Sequence, residues 1–207
     1  MAENNTRLRF LEAAGELFRR QGYSGTGLKQ ITTYAKAPWG SMYHFFPEGK
    51  EQLGAEAILH AGAFYSASLT SAFENGGDPV AIIAELFREE ARLLEASAFQ
   101  DSFHIAWTAV DVASTTDRVR AACSTVFKTW ADLIAGPCAA AGLSPSQAEA
   151  TAAFVLSSLE GAIIVSRTHK SVEPLRVAGE MVEIALKQVF AGVGQDAMRS
   201  SSGELAP

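Results

Sequence analysis

Cysteine is almost absent from this chain. The two it has among 207 residues, Cys123 and Cys138, stand fifteen residues apart in one expected helix. A rise of 1.5 Å per residue separates them by roughly 22 Å, far beyond disulfide reach. A kink at Gly136-Pro137 shortens that distance without closing it. A disulfide scaffold is therefore excluded, and both thiols read as reduced, buried small hydrophobes. There is no CxxC and no Cys/His cluster of zinc spacing, so neither a metal site nor a cofactor is expected. Long apolar runs are missing too. With 48% hydrophobic residues and no run near 18, the chain is expected to be globular and to have no membrane partner. The start, Met-Ala-Glu-Asn-Asn, lacks a basic region followed by an apolar core, which makes the cytoplasm the default location. No strand alternation and no repeat appears, so the expected fold is all-α.

Positive charge is also in short supply. The net charge is −6, which argues against a nucleic-acid partner until it is divided by region. Residues 1–60 hold 7 Lys/Arg and 6 Asp/Glu, net +1, while residues 61–207 hold 10 and 17, net −7. The acidity belongs to the C-terminal part. A net +1 is a thin electrostatic footprint, since non-specific DNA affinity comes largely from phosphate neutralisation. Composition permits DNA binding; only a motif can argue for it.

The motif lies in Ala37 to Lys50, Ala-Pro-Trp-Gly-Ser-Met-Tyr-His-Phe-Phe-Pro-Glu-Gly-Lys. Pro38 suits the first helical position, and Pro47 stops the helix after roughly two turns. Met42 and Phe45 supply a small apolar face, while Trp39, Tyr43 and His44 carry polar ring atoms. Before it, Thr26 to Ala35 repeats Leu28, Ile31 and Ala35 at helical spacing. Two short helices joined by Lys36-Ala37 describe a helix-turn-helix. Gly22-Tyr23, Thr26-Gly27-Leu28-Lys29-Gln30-Ile31, Gly40-Ser41-Met42-Tyr43-His44-Phe45-Phe46 and Lys50-Glu51-Gln52-Leu53 together resemble the N-terminal DNA-binding domain of the TetR family of transcriptional regulators. Ala37 to Ser41 with Pro47 to Lys50 is most similar to the LmrA/YxaF-like branch.

The resemblance implies that Tyr43, His44 and Lys50 contact the DNA backbone. It places Thr26, Lys29, Thr33, Trp39 and Ser41 near bases or adjacent phosphates. Trp39 departs from the pattern, because the branch usually has Lys there. An indole can touch a thymine methyl or stack on sugar, but it neutralises no phosphate. The resemblance also implies a homodimer on an inverted-repeat operator of double-stranded DNA, with a small-molecule effector, and a repressor released by that effector. The alternative is a helical ligand-binding or scaffolding protein without DNA binding.

Along the chain, Thr6 is expected to cap a first helix to Gln21, with Leu8, Leu11, Ala14, Leu17 and Phe18 inward. A long helix follows from Lys50 to Asn75, broken at Gly76-Gly77-Asp78-Pro79. Further helices are expected over Val80 to Ala96, Phe99 to Val112, Thr116 to Ala141, Ser146 to Thr168 and Pro174 to Phe190. The domain expectation is residues 1–50 for DNA, 51–191 for effector and dimer, and 192–207 as a disordered tail. Two stripes stand out: Ala148, Ala152, Val155, Leu156, Leu159, Ala162 and Ile163, then Leu175, Ala178, Val182, Ala185, Leu186 and Val189. They complete either a monomer core or a symmetric four-helix contact between subunits; the second is preferred.

For the effector, an apolar or aromatic compound is expected. Phe103, His104, Trp107, Thr108 and Asp111 cluster on one segment, and Phe64, Tyr65, Phe127 and Trp130 are placed to complete an aromatic-lined pocket. The competing reading is plain core. His104 with Asp111 resembles a base and its orienting carboxylate, but no nucleophile is indicated, so no catalytic residue is expected. Glu56 and His60 at i and i+4 are too few for a metal.

Overall fold

The computed structural model describes residues 2–100 and 105–203, with side-chain surroundings for residues 5–100 and 105–193. The described residues are helical, without a strand. The helices are α1 (Ala2–Gln21), α2 (Leu28–Tyr34), α3 (Trp39–Phe45), α4 (Lys50–Glu74), α5 (Pro79–Ala96), α6 (Ala106–Val112), α7 (Asp117–Ala140), α8 (Pro145–His169) and α9 (Glu173–Gly203). The chain divides into two compact units, Met1–Ser68 with Gln100–Thr129, and Leu69–Phe99 with Trp130–Pro207.

The first unit is built around aromatic rings of α1. Phe10, Phe18, Ile31, Met42, Phe46 and Leu53 are fully buried. Phe10 meets Phe46 edge-on at 6.1 Å and Phe45 at 6.5 Å, and Phe18 lies 5.2 Å from Tyr23. Such ring pairs add about 0.5–1.5 kcal/mol each beyond their burial. The inward stripe of α1 is therefore Phe10, Ala13, Ala14, Leu17 and Phe18 with Leu11, and Leu8 stays 39% exposed. The larger Phe10 ring takes the place expected of Leu8. Nor does Thr6 cap α1, which begins at Ala2; its hydroxyl accepts from Arg9 within the helix. Pro38 is the N-cap of α3 and not its first turn, with extended ψ of 143°.

At Phe99 and Gln100, where a helix is expected to begin, the chain is not helical. Ala98 and Phe99 have φ of 52° and 63°, and their N–H groups close the end of α5 onto Glu95 and Leu94 carbonyls at 2.9 Å. This is a left-handed helix termination made without glycine. The following helix, α6, is confined to Ala106–Val112.

In the second unit α9 packs on α5 and α8. Gly179 permits the approach to α5, since a Cβ there would lie 2.8 Å from Phe87 Cβ. Asp78 caps α5 through the Val80 N–H at 3.0 Å, with Pro79 in the first turn. A capping box joins Ser144 and Gln147 at the start of α8. The Ser166 hydroxyl accepts from the Leu175 N–H at 3.2 Å, tying α8 to the start of α9.

Here the stripe assignment needs correcting. Ala148, Ala152, Val155, Leu156, Leu159, Ala162 and Ile163 of α8, and Leu175, Val182 and Leu186 of α9, are buried within the protomer. They are the monomer core. The faces left outward carry other residues: Phe154, Ile164 and Val165 on α8, and Val177, Met181 and Ile184 on α9. By length and composition alone α8 could cross a membrane, with a mean hydropathy of 1.5 over 18 residues, 44% of them buried. Alanine, serine and threonine keep that run low in charge although Glu160 lies within it. α9 also passes the Phe190 end expected for it, running on through Gly192 and Gly194 with no proline to halt it.

Cys123 and Cys138 are both buried and unbonded. Burial pushes the Cys138 thiol up to about 11, so at pH 8 it is a thiol and a poor nucleophile. Native protein is expected to react slowly with a thiol-specific reagent at Cys138 and rapidly after unfolding, as mass spectrometry of labelled peptides would report. Close packing in the first unit gives a second expectation. A Cβ on Gly62 would lie 2.5 Å from a Val126 methyl, so Gly62→Ala should destabilise by about 1–3 kcal/mol in denaturant unfolding. Val126→Ala in the same chain should recover part of that loss.

Candidate nucleic-acid interface

The turn from α1 into α2 is assembled by small residues and spare polar groups. Gly22 adopts φ of +80°, a conformation that costs an L side chain strain. The Thr26 hydroxyl donates to the Gly22 carbonyl at 2.7 Å and Thr26 is 1% exposed. It fixes the turn and offers nothing to an external partner. Gln21 then bridges outward, donating to the Gly25 carbonyl at 3.1 Å and to Gln30 Oε1 at 2.7 Å.

Lys29 and Thr33 lie on the exposed side of α2, with the Thr33 hydroxyl donating to the Lys29 carbonyl at 2.9 Å. The chain reverses at Lys36, φ 49°, where the Ala37 N–H returns to the Thr32 carbonyl at 3.1 Å. α3 then presents two different sides. Met42 and the Phe46 just beyond its end point inward, while Trp39, Gly40, Tyr43 and His44 are exposed and Ser41 is half-buried. Trp39 and Tyr43 are 48% and 47% exposed and meet edge-on, with ring centroids 5.8 Å apart at 71°. His44 lies against Phe45 at 5.0 Å.

The charge of this surface has a pattern that regional totals conceal. Residues 17–47 contain no Asp or Glu and four Lys/Arg. Arg19 and Arg20 both pair with Glu16 at the edge of that stretch, which leaves Lys29 and Lys36 as its exposed lysines. The surface repels no phosphate, yet it neutralises few.

Lys50 differs from the expectation of an outward clamp. Its ammonium donates to the Tyr23 carbonyl at 2.7 Å and sits 4.2 Å above the Tyr23 ring. Burial lowers its pKa, opposed by the nearby Asp111 carboxylate. The Tyr23 phenol is raised, chiefly by burial and then by the negative charges of Glu51 and Asp111, against a lowering hydrogen bond with Thr116. Lys50 thus ties the start of α4 to the α1–α2 turn, with two N–H groups still to spare.

Three groups outside the helix-turn-helix hold it from behind. Asp111 Oδ2 on α6 accepts the Ser24 N–H at 2.7 Å. Above the same turn lies the Trp107 indole, whose Nε1 would be 3.0 Å from a Cβ on Gly22. Arg118 of α7 pairs with Glu48, in the turn between α3 and α4. Sequence reasoning missed Ser24 and the Glu48–Arg118 pair, because partners 87 and 70 residues apart leave no local signal. The acid-free stretch was the signal available for the surface.

The residues expected around an effector are scattered. Trp107 and Asp111 face the α1–α2 turn, Thr108 is buried, Tyr65 and Phe127 are half-buried, and Phe64 is 68% exposed. Trp130 is buried and belongs to the second unit. Phe103 and His104 lie outside the described residues, and with them the His104–Asp111 arrangement. Glu56 is taken by Arg7 and Gln52, His60 is exposed, and the described residues hold no group of three metal-ligating side chains.

Comparison with known proteins supplies the family. Residues 10–57 match the family of bacterial regulatory proteins of the tetR type, and residues 79–181 match the C-terminal domain of LmrA/YxaF-like transcriptional regulators. The HTH-type transcriptional regulator LmrA of Bacillus subtilis is 30% identical over 188 residues, spanning 91% of this chain and 100% of its own. YxaF of the same organism, an HTH-type transcriptional regulator, is 29% identical over 187 residues, 90% of this chain and 98% of its own. Among solved structures, the regulator CifR, crystallised with a 26-bp operator DNA, aligns with a TM-score of 0.71 at 21% identity, covering 85% of this chain and 94% of its own. The chain belongs to the TetR family of transcriptional regulators, in its LmrA/YxaF-like branch.

Proposed function

We propose that this chain acts as a homodimer that represses transcription by binding an inverted-repeat operator through α2 and α3, and that a small molecule releases it. The observation that carries the reading is the outward side of α3. Tyr43 and His44 present polar ring atoms beside Trp39, on a surface without a carboxylate from residue 17 to 47. Lys29, Thr33 and Ser41 complete the candidate contacts, and Lys50 contributes its spare N–H groups near the start of α4, where phosphate oxygens are well received. Thr26 acts one step back, by shaping the turn. The operator bound by CifR supports a duplex as the partner.

For the dimer, the outer faces of α8 and α9 are the surface that fits. Phe154, Ile164 and Val165 with Met181 and Ile184 form apolar ground on two neighbouring helices, and Gly161 lies open with nothing within 4 Å of an added Cβ. Two copies packed there bury what one leaves in water. An apolar or aromatic effector, contacting Phe64, Tyr65, Thr108 or Phe127 of the first unit, acts through α6 and the start of α7. Moving α6 pulls on Ser24 through Asp111, and moving α7 pulls on Glu48 through Arg118. The hydrogen bond matters more: Asp111 is half-buried, whereas Arg118 and Glu48 are both exposed and such a pair contributes about 0–1 kcal/mol.

Two measurements test this. Selection of the purified protein against a random-sequence DNA pool at physiological salt should return an inverted repeat with half-site centres about 34–36 Å apart, or a multiple of it. Recovery of no motif by a folded dimer would favour a helical ligand-binding protein without DNA binding. In the second, Asp111→Ala should speed hydrogen exchange of the Ser24 amide by about 10-fold or more and weaken operator binding, while Arg118→Ala changes both far less. Equal exchange at Ser24 in the two variants would contradict the ranking.

A further inference from the structure

We propose that the Trp39–Tyr43 ring pair is the sequence reader of this regulator, and that what it reads is the 5-methyl group of thymine in the major groove. The inference rests on the DNA-binding function proposed above. Both rings stand on the outward side of α3, about half exposed, and their edge-on contact at 5.8 Å makes one apolar step of two side chains. The packing of α3 is done by Met42 and Phe46, so this exposed step has no part in the core. Gly40 lies beside it. An added Cβ there would meet nothing within 4 Å, so packing within the protomer does not require the glycine, although glycine weakens a helix. Its absent side chain leaves room for an outside surface to come close.

Charge narrows the occupant to DNA, and chemistry narrows the feature read. The stretch 17–47 is free of carboxylates, which suits a polyanion. Yet its arginines are paired with Glu16 and only Lys29 and Lys36 are exposed lysines there, so phosphate neutralisation is thin and discrimination falls to short-range contact. An indole is a lone N–H donor on an apolar body. It cannot make the bidentate contacts by which Arg reads guanine or Asn reads adenine, whereas the thymine methyl is the apolar mark of the major groove. Tyr43 holds the indole edge-on and keeps its own hydroxyl for phosphate or sugar.

The test uses the operator recovered by pool selection, with deoxyuridine replacing thymidine at one position at a time, which removes the methyl group and nothing else. In each half-site one or two replacements should weaken binding about fourfold each, the value of one buried methyl, and the others should not. Trp39→Ala, folded by circular dichroism and still dimeric, should bind both operators alike. Trp39→Lys should also lose the discrimination, while steepening the dependence of log affinity on log salt by about 1 per protomer. Equal affinity of the native protein for every uridine operator, or discrimination that survives in Trp39→Ala, would overturn the proposal and leave the DNA-binding function standing. Failure to recover any operator would overturn both.

Discussion

The hydrogen bond from the Ser24 amide to Asp111 is the contact on which the arrangement of the first unit turns. Ser24 sits in the turn that aims α2, and that turn has little of its own to hold it: a left-handed glycine, one buried threonine hydroxyl and a few side-chain amides. Around it gather groups from α4 and α6. Lys50 grips the Tyr23 carbonyl, the Trp107 indole covers Gly22, and Tyr23 packs so closely on Gly54 that a Cβ there would lie 2.7 Å from its ring. A segment of about 50 residues buries too small a fraction of its surface to be firmly stable alone. The helix-turn-helix is therefore completed by helices far along the chain, and what completes it can also disturb it.

That dependence changes how the charges should be read. Lys50 and Asp111 are about the most suggestive ionisable residues in the sequence, one as a phosphate clamp and the other as an effector contact or catalytic partner. Asp111 is occupied by the Ser24 amide, and one N–H of Lys50 is occupied by the Tyr23 carbonyl. Burial lowers Lys50 and the Asp111 charge opposes that lowering, as expected of an ammonium in a half-dry site. Once those two are set aside, the exposed surface of α2 and α3 is lightly basic, aromatic and free of acids. Its character comes more from shape and apolar contact than from net charge, and a chain with a formal charge of −6 can still present it.

The sequence made legible the elements that proline or glycine brackets and left open what covers the faces of α8 and α9. Pro38 and Pro47 bracket α3 because proline fixes φ and removes a donor, and that effect is local. Gly76-Gly77-Asp78-Pro79 likewise marks the start of α5. For α8 and α9 the periodicity identified a buried side and could not say what buries it. Both helices are apolar on two sides, and the stripe of Ala148 to Ile163 packs inside the protomer while Phe154, Ile164 and Val165 face out. Leu8 lost its inward place to the bulkier Phe10, a choice settled by volume and not by period. The α6 region misled because Ala98 and Phe99 take left-handed φ values, conformations that no propensity assigns to alanine or phenylalanine. The contacts of Ser24 with Asp111 and of Glu48 with Arg118 were out of reach of any window, being long-range.

The sizes of those contacts bear on how far an effector could act. A ligand shifts operator affinity only by the difference in its own binding to the two states, and couplings between sites run to about 1–3 kcal/mol. The Ser24–Asp111 hydrogen bond lies at the surface, so its net worth of about 0.5–1.5 kcal/mol reaches the lower end of that range, while an exposed ion pair alone falls short of it. A link much stronger than this would leave the helix-turn-helix unable to respond, and a much weaker one would leave it unable to hold its aim in the absence of ligand. Asp111 on a seven-residue helix meets both conditions, since so short an element is held by its neighbours and can be moved by them.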